Sequence, residues 1–209
     1  MTIDRAGYPF IGGTAALAIA AALTVGAAGA VPLFVLAAFF LYFFRDPDRV
    51  SPQDPALALS PADGRVLVAG PADPAAAPPG DWKQISIFLS PTDVHVNRSP
   101  VSGRVTKVDF RKGKFLPAYH RDAASANERS EVWVDHGGLP VVFRQIVGIL
   151  ARRVVCRVQP GSELKAGERF GIMKFGSRMD VFVPPIAELK VKVGDAVIGG
   201  VTVIALLKH

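Results

Sequence analysis

The sequence predicts a mainly β domain, of a barrel-sandwich, hammerhead-like kind, behind an N-terminal helical membrane hairpin. Three observations predict it. No charged residue occurs between Phe10 and Phe44. Beyond Arg45 the chain breaks into short Val-, Ile- and Phe-rich runs punctuated by Gly, Pro and Asp, the pattern of strands and turns. The stretch Ser60-Pro-Ala-Asp-Gly-Arg-Val66 resembles Ser99-Pro-Val-Ser-Gly-Arg-Val105, so one turn-and-strand unit occurs twice.

The apolar segment comes first. As one straight helix, Phe10–Phe44 would reach about 52 Å, against a hydrocarbon core of about 30 Å. Gly26-Ala-Ala-Gly-Ala-Val-Pro32 supplies a break, because glycine loosens a helix and proline removes a donor. The reading is a hairpin with helices at about 10–27 and 31–44, so that residues 1–44 form an anchor and 45–209 a catalytic β domain. The run is too long for a secretory signal. Arg5 on one flank and Arg45 and Arg49 on the other place both ends in the cytoplasm by the positive-inside rule.

Arg45-Asp46-Pro47-Asp48-Arg49 reads as a turn. Strands are expected at 65–69, 84–89, 103–110, 131–134, 141–148 and 153–158, then at 169–174, 179–183, 188–191 and 201–206. Pro71–Asp81 is a Pro/Ala-rich loop, and 122–128 carries a short helical turn. Val191 to Ala205 reads strand, Gly-Asp turn, strand, like the hammerhead units of biotinyl and lipoyl domains.

Composition narrows the function. The 209 residues carry 24 Lys and Arg against 18 Asp and Glu, a net charge of +6. That balance suits an anionic surface. The basic residues are scattered without an aromatic stacking platform, so nucleic acid is not an expected partner. The single cysteine, Cys156, excludes a disulfide framework and a thiolate zinc site. His95, His120, His136 and His209 show no metal-ligand spacing, and no phosphate loop, GxGxxG or GxSxG occurs.

Three stretches remain: Leu59-Ser-Pro-Ala-Asp63-Gly64, Leu89-Ser-Pro-Thr-Asp93-Val-His95-Val-Asn-Arg98-Ser-Pro100, and Lys174-Phe-Gly176-Ser177-Arg-Met-Asp-Val-Phe-Val183. Alone, each reads as a turn or a surface pair. Together, with Gly113 to His120, Asn127-Glu128-Arg129 and Gln145-Ile-Val-Gly148, they resemble the phosphatidylserine decarboxylase family over almost all of 45–209. The short length and the hairpin resemble its compact members.

The resemblance implies a self-processing carboxy-lyase that turns phosphatidylserine into phosphatidylethanolamine and CO2. It implies a covalent pyruvoyl cofactor made from Ser177, a Schiff base with the substrate amine, and no metal. Ser177 would attack the carbonyl of Gly176 and split the chain into 1–176 and 177–209, which stay associated. Serine needs a base. The long members carry a histidine where this chain has Arg98, and arginine cannot serve as base. Base duty therefore falls to His95, with Asp63 fixing its tautomer as the acid of a triad does. Arg98 and His120 are expected to contact the phospholipid. Expected partners are the lipid, the cell membrane and a possible second copy. Decarboxylation of a related phosphoserine lipid, or a membrane-tethered lipoyl-like adaptor without activity, are the alternatives.

Overall fold

The structure, a computed structural model, describes residues 1–120, 122–149, 154–174 and 176–207. It divides into two units, Met1–Asp48 and Arg49–His209.

The first unit is the hairpin. Strand β1 (Thr2–Ile3) leads through a short 3-10 turn into α1 (Tyr8–Thr24), then α2 (Ala27–Phe43) and β2 (Arg45–Asp46). β1 and β2 pair antiparallel, so the expected turn at Arg45–Asp46 is instead a closing strand pair. Phe10 lies 5.5 Å from both Phe40 and Phe44, which zips the start of α1 to the end of α2. A Cβ on Gly7 would meet the Phe44 ring at 2.5 Å. The chain reverses at Gly26, whose φ of +90° suits glycine. Pro32 lies inside α2 rather than in the break. At its sixth position it removes one intrahelical bond without turning the chain. Arg5–Thr24 is long and apolar enough to cross a membrane, and Ala27–Phe43 is shorter. Leu17, Leu23, Val31 and Val35 are exposed, so the helices are apolar on their outer faces as well.

The second unit is mainly strand. In chain order it runs β3 (Leu57–Leu59), β4 (Gly64–Pro71), β5 (Lys83–Leu89), β6 (Val96–Arg98), β7 (Gly103–Arg111), α3 (Ala123–Ala126), β8 (Arg129–His136) and β9 (Leu139–Ile146). Then come β10 (Val154–Cys156), β11 (Glu163–Leu164), β12 (Arg169–Met173), β13 (Ser177–Val183), β14 (Glu188–Leu189), β15 (Ala196–Val197) and β16 (Val203–Leu206). An antiparallel sheet of eight strands has the order β11-β7-β8-β9-β13-β5-β4-β15. Two three-stranded sheets, β10-β12-β6 and β14-β16-β3, complete it. Each expected strand overlaps one of these elements, though β9 stops at Ile146, β10 at Cys156, β12 at Met173 and β14 at Leu189, and β16 starts only at Val203. The start of the 153–158 strand, Arg153, lies outside the described residues. The short strands β3, β6, β11 and β15 are additions, too brief for alternation to reveal.

One face of the large sheet supplies the core. Ile85, Ile87 and Leu89 of β5 meet Val132 and Val134 of β8, Val141 and Phe143 of β9, and Met179, Val181 and Val183 of β13. Phe143 packs edge-on against Phe170 at 4.7 Å. The period of two in β13 puts Ser177 on this same face and Arg178 on the other.

The repeated motif is a pseudo-two-fold. Gly64 and Gly103 have φ of +149° and +147°. A Cβ on them would lie 2.0 Å from the Phe88 carbonyl and 2.2 Å from the Asp135 carbonyl, so each turn needs glycine. The Ser60 and Ser99 hydroxyls donate to the carbonyls of Ala62 and Val101 at 2.6 and 2.7 Å. The two turns clasp each other reciprocally, Leu59 N–H to Pro100 O and Arg98 N–H to Pro61 O, both 2.8 Å. Each is also closed by a distant segment. Gly200 N–H meets Ser60 O at 2.7 Å, and Gly167 N–H meets Ser99 O at 2.8 Å. Val66 N–H meets Asp195 O at 2.9 Å, and Val105 N–H meets Ser162 O at 2.8 Å.

Candidate active site

β13 lies between β9 and β5, paired with both. Ser177 is its first residue, opposite Leu89, and is fully buried. Its Oγ has no hydrogen-bond partner among the described residues. An orphaned buried hydroxyl costs about 1–3 kcal/mol and calls for an explanation. Gly176, just before it, has a φ of +72°. A Cβ there would meet nothing within 4 Å. Glycine at 176 therefore suits the left-handed backbone conformation, which an L side chain would strain. Phe175 lies outside the described residues.

The carbonyl of Gly176 is wedged against Gly148. A Cβ on Gly148 would stand 2.2 Å from that oxygen and 3.2 Å from its carbon. The residues just before Gly148 are fixed in turn by Asn127, fully buried. Its amide nitrogen donates to the Val147 and Leu116 carbonyls, each at 2.8 Å, and its oxygen accepts from Leu116 N–H at 2.9 Å.

His95 is fully buried. Its Nδ1 lies 2.9 Å from the Asp93 carbonyl oxygen. A carbonyl only accepts, so Nδ1 carries the proton and Nε2 the lone pair. The other contact agrees: Gly176 N–H donates to Nε2 at 3.3 Å. The basic atom of His95 thus abuts the Gly176 amide. The Asp93 carboxylate accepts from Ser90 N–H at 2.7 Å, which shapes the turn presenting the Asp93 carbonyl. That contact accounts for the Ser-Pro-Thr-Asp spacing.

Asp63 does not hold His95. Its carboxylate takes both ends of the Arg49 guanidinium, at 2.6 and 2.7 Å, and Gly199 N–H at 2.8 Å. The pseudo-two-fold explains the last bond, since the Ser102 hydroxyl accepts Ala166 N–H at 2.9 Å in the other half. Asp63 therefore closes a turn in which its counterpart is a serine, and the Asp93 carbonyl takes the orienting task that the sequence assigned to Asp63. Arg98 is 5 % exposed, donates to the Gly167 carbonyl at 3.1 Å, and has its Cδ where a Cβ on Gly200 would fall, at 2.8 Å. It is built into the clasp. His120 lies on an exposed loop, accepting from Asp122 N–H at 3.3 Å. The structure brings His95, Gly176 and Ser177 together and leaves Asp63, Arg98 and His120 in other contacts.

A buried polar relay beside Ser177 escaped sequence reading. The Ser130 hydroxyl donates to Gln145 Oε1 at 2.8 Å, and Gln145 Nε2 donates to Asn97 Oδ1 at 2.8 Å. All three are essentially unexposed, and Asn97 Nδ2 has no partner among the described residues. Gln145 stands opposite Met179 on β13, on the core face, where Ser177 is its diagonal neighbour. The available signal was a glutamine at an inward position of an apolar strand.

The opposite face of β13 is also polar. Arg178 donates to Asp180 at 2.6 Å and to the Ser86 hydroxyl at 2.8 Å, and Gln84 donates to Asp180 at 3.1 Å. Arg144 pairs with Glu131 on the neighbouring strands. Burial, with Arg144 and Arg111 nearby, lowers the pKa of Arg129. A cavity of about 370 Å³ opens there, lined by Leu67, Val68, Gln84, Tyr119, Ala124 and Arg178 among others. No group of three or more His, Cys, Asp or Glu that could hold a metal occurs among the described residues.

Comparison with known proteins agrees with this arrangement. The phosphatidylserine decarboxylase family model matches residues 36–205. A phosphatidylserine decarboxylase proenzyme of Solibacter usitatus (strain Ellin6076) is 46 % identical over 193 residues, covering 91 % of each chain. One of Pelodictyon phaeoclathratiforme (strain DSM 5477 / BU-1) is 43 % identical over 167 residues, covering 80 % of this chain and 78 % of its own. This extent of likeness leads to one conclusion: the chain belongs to the phosphatidylserine decarboxylase family.

Proposed function

We propose that the chain is a proenzyme that cuts itself at Gly176–Ser177 and then converts phosphatidylserine to phosphatidylethanolamine and CO2. The observation that carries this reading is the unpartnered, buried Ser177 Oγ next to a left-handed Gly176 whose amide faces the His95 lone pair.

Processing uses the chain's own atoms. Ser177 Oγ attacks the Gly176 carbonyl carbon while His95 Nε2 takes the hydroxyl proton. The proton passes to the Ser177 nitrogen as the Gly176 C–N bond breaks, leaving an ester. Loss of the Ser177 Cα proton and of the Cβ–Oγ bond frees Gly176 as a carboxylate and leaves a dehydroalanine. Water then releases ammonia and leaves a ketone at the head of 177–209. The residues fit this product: the strand start is buried.

The pyruvoyl group supplies the carbonyl that takes the substrate amine and accepts the electron pair left by CO2. Around it, His95 Nε2 holds and returns the proton that the product Cα requires. Burial of residue 177 keeps bulk water from the reacting carbon. The hairpin holds the protein to the membrane in which its substrate lies, and the basic flanks Arg5, Arg45 and Arg49 put the catalytic domain on the cytoplasmic side.

Intact mass and a decarboxylation assay test this together. Purified protein should give two chains, 1–176 and 177–209, the second blocked to amine-directed sequencing and shifted in mass by borohydride. Release of CO2 from carboxyl-labelled phosphatidylserine by a single uncleaved chain would overturn the mechanism.

A further inference from the structure

We propose that Arg111–Tyr119, with Ile149 beside it, is an interfacial docking surface that seats the catalytic domain on an anionic bilayer. The proposal rests on the lipid-substrate reading above and adds the surface by which the domain meets the lipid.

The segment Phe110-Arg-Lys-Gly-Lys-Phe-Leu-Pro-Ala-Tyr-His120 contains three cations and no acid. Arg111, Lys112 and Lys114 are exposed. So are large apolar side chains that a soluble surface would cover: Phe115 is 39 %, Tyr119 65 % and Ile149 55 % exposed. The backbone that carries them is fixed by a built framework, and Tyr119 rests edge-on against Phe88 with ring centroids 5.8 Å apart. Asn127 grips Leu116 through both its amide N–H and its carbonyl, and ties it to Val147. Gly113 presses against backbone, since a Cβ there would lie 2.4 Å from the Ala126 carbonyl.

The location gives the surface its meaning. Ala118, next to Tyr119, comes within 3.3 Å of where a Gly148 Cβ would be, and Ile149 follows Gly148 directly. Gly148 in turn carries the Gly176 carbonyl. The exposed aromatic and aliphatic groups therefore flank the bond from which the reactive group is made. A diacyl substrate must offer its headgroup there while its chains remain in the bilayer. Apolar side chains separated by lysines fit that boundary: the tips enter the acyl edge and the ammonium groups meet lipid phosphates. A protein partner would offer no reason for cations without acids around isolated apolar tips, whereas an anionic membrane complements both.

The test uses full-length protein in phosphatidylcholine vesicles with or without phosphatidylglycerol, where the hairpin retains every variant. With Trp82→Phe and Trp133→Phe as background, Tyr119→Trp introduces a single indole. Brominated lipid should quench it at least twofold more in vesicles containing phosphatidylglycerol, and Lys112→Glu with Lys114→Glu should remove the difference. An indole that brominated lipid leaves unquenched, and that aqueous iodide reaches equally with and without vesicles, overturns the proposal. The same double lysine variant should raise the KM for bilayer phosphatidylserine about tenfold and leave kcat/KM for water-soluble dihexanoyl phosphatidylserine unchanged. Equal loss on both substrates would overturn docking in favour of a fold defect. A wild-type protein that decarboxylates neither substrate would refute the proposed function, and the quenching would still decide the docking.

Discussion

Gly148→Ala adds one methyl group and no reactive function, yet it should cripple self-cleavage. The new Cβ would stand 2.2 Å from the Gly176 carbonyl oxygen. A carbon–oxygen contact of this kind is roughly 3.3–3.6 Å, so the carbonyl or the Gly148 backbone must move by about 1 Å. The oxygen belongs to the carbon that Ser177 Oγ attacks in the proposed cleavage, and β13 is fixed on both sides by β9 and β5. Near-attack geometry tolerates little: a displacement of about 1 Å costs on the order of 100-fold, or about 2.7 kcal/mol of barrier at 1.36 kcal/mol per tenfold. The assay follows purified precursor on denaturing gels and by intact mass, with urea unfolding as a check that the variant is folded. Gly176→Ala is the companion. It meets nothing within 4 Å, so its penalty is the backbone strain of a left-handed alanine, about 1–2 kcal/mol. A folded Gly148→Ala protein that cleaves at the wild-type rate would refute the reasoning.

Other outcomes can be stated from the same contacts. His95→Ala should leave the precursor uncut while Ser102→Ala cuts normally, as read by intact mass; cleavage of the His95 variant at the wild-type rate would remove histidine from the mechanism. Gln145→Leu strands the Ser130 hydroxyl and Asn97 Oδ1, each worth about 1–3 kcal/mol when buried and unpaired, and an unchanged urea midpoint would contradict the relay. Asp63→Ala leaves the Arg49 guanidinium buried without its carboxylate and should lower stability by about 3 kcal/mol, with less loss in the Arg49→Met, Asp63→Ala double variant; equal losses would deny the pair. Burial raises the pKa of the Cys156 thiol against a smaller lowering from the Val158 backbone contact, so less thiolate is present at pH 8 than in a free peptide. Iodoacetamide should then label native protein more slowly than urea-unfolded protein, and equal rates would contradict the burial.

The sequence disclosed what was local and periodic. The uncharged run announced the hairpin, and Val-, Ile- and Phe-rich runs between turn residues announced the strands β5, β8, β9 and β13. Ser177, Gly176 and His95 stood out only through the resemblance of three short stretches to a known family, since alone each stretch reads as a turn or a surface pair. What stayed hidden was the pairing of distant polar groups. Asp63 looked like the acid of a triad, but only the fold reveals that Arg49 and Gly199 occupy it while a backbone carbonyl orients His95. Arg98 looked free to meet a ligand until the clasp buried it. Gly148 and Asn97 carry no chemistry of their own, so their importance arises wholly from what the chain brings beside them.

The pseudo-two-fold has a consequence for the mature protein. One half of the clasp joins 60–66 to 194–202, and the other joins 99–105 to 161–168. The proposed cut at Gly176–Ser177 leaves the second half within one polypeptide and turns the first into a junction between two. A near-symmetric object thus acquires, from a single broken bond, one tethered side and one untethered side with the same hydrogen-bond pattern. Gly161 and Gly194 each donate to the end of the matching strand, at 2.8 and 2.9 Å. The tethered half is therefore an internal standard against which the loosening of the other can be read, amide by amide, within the same molecule.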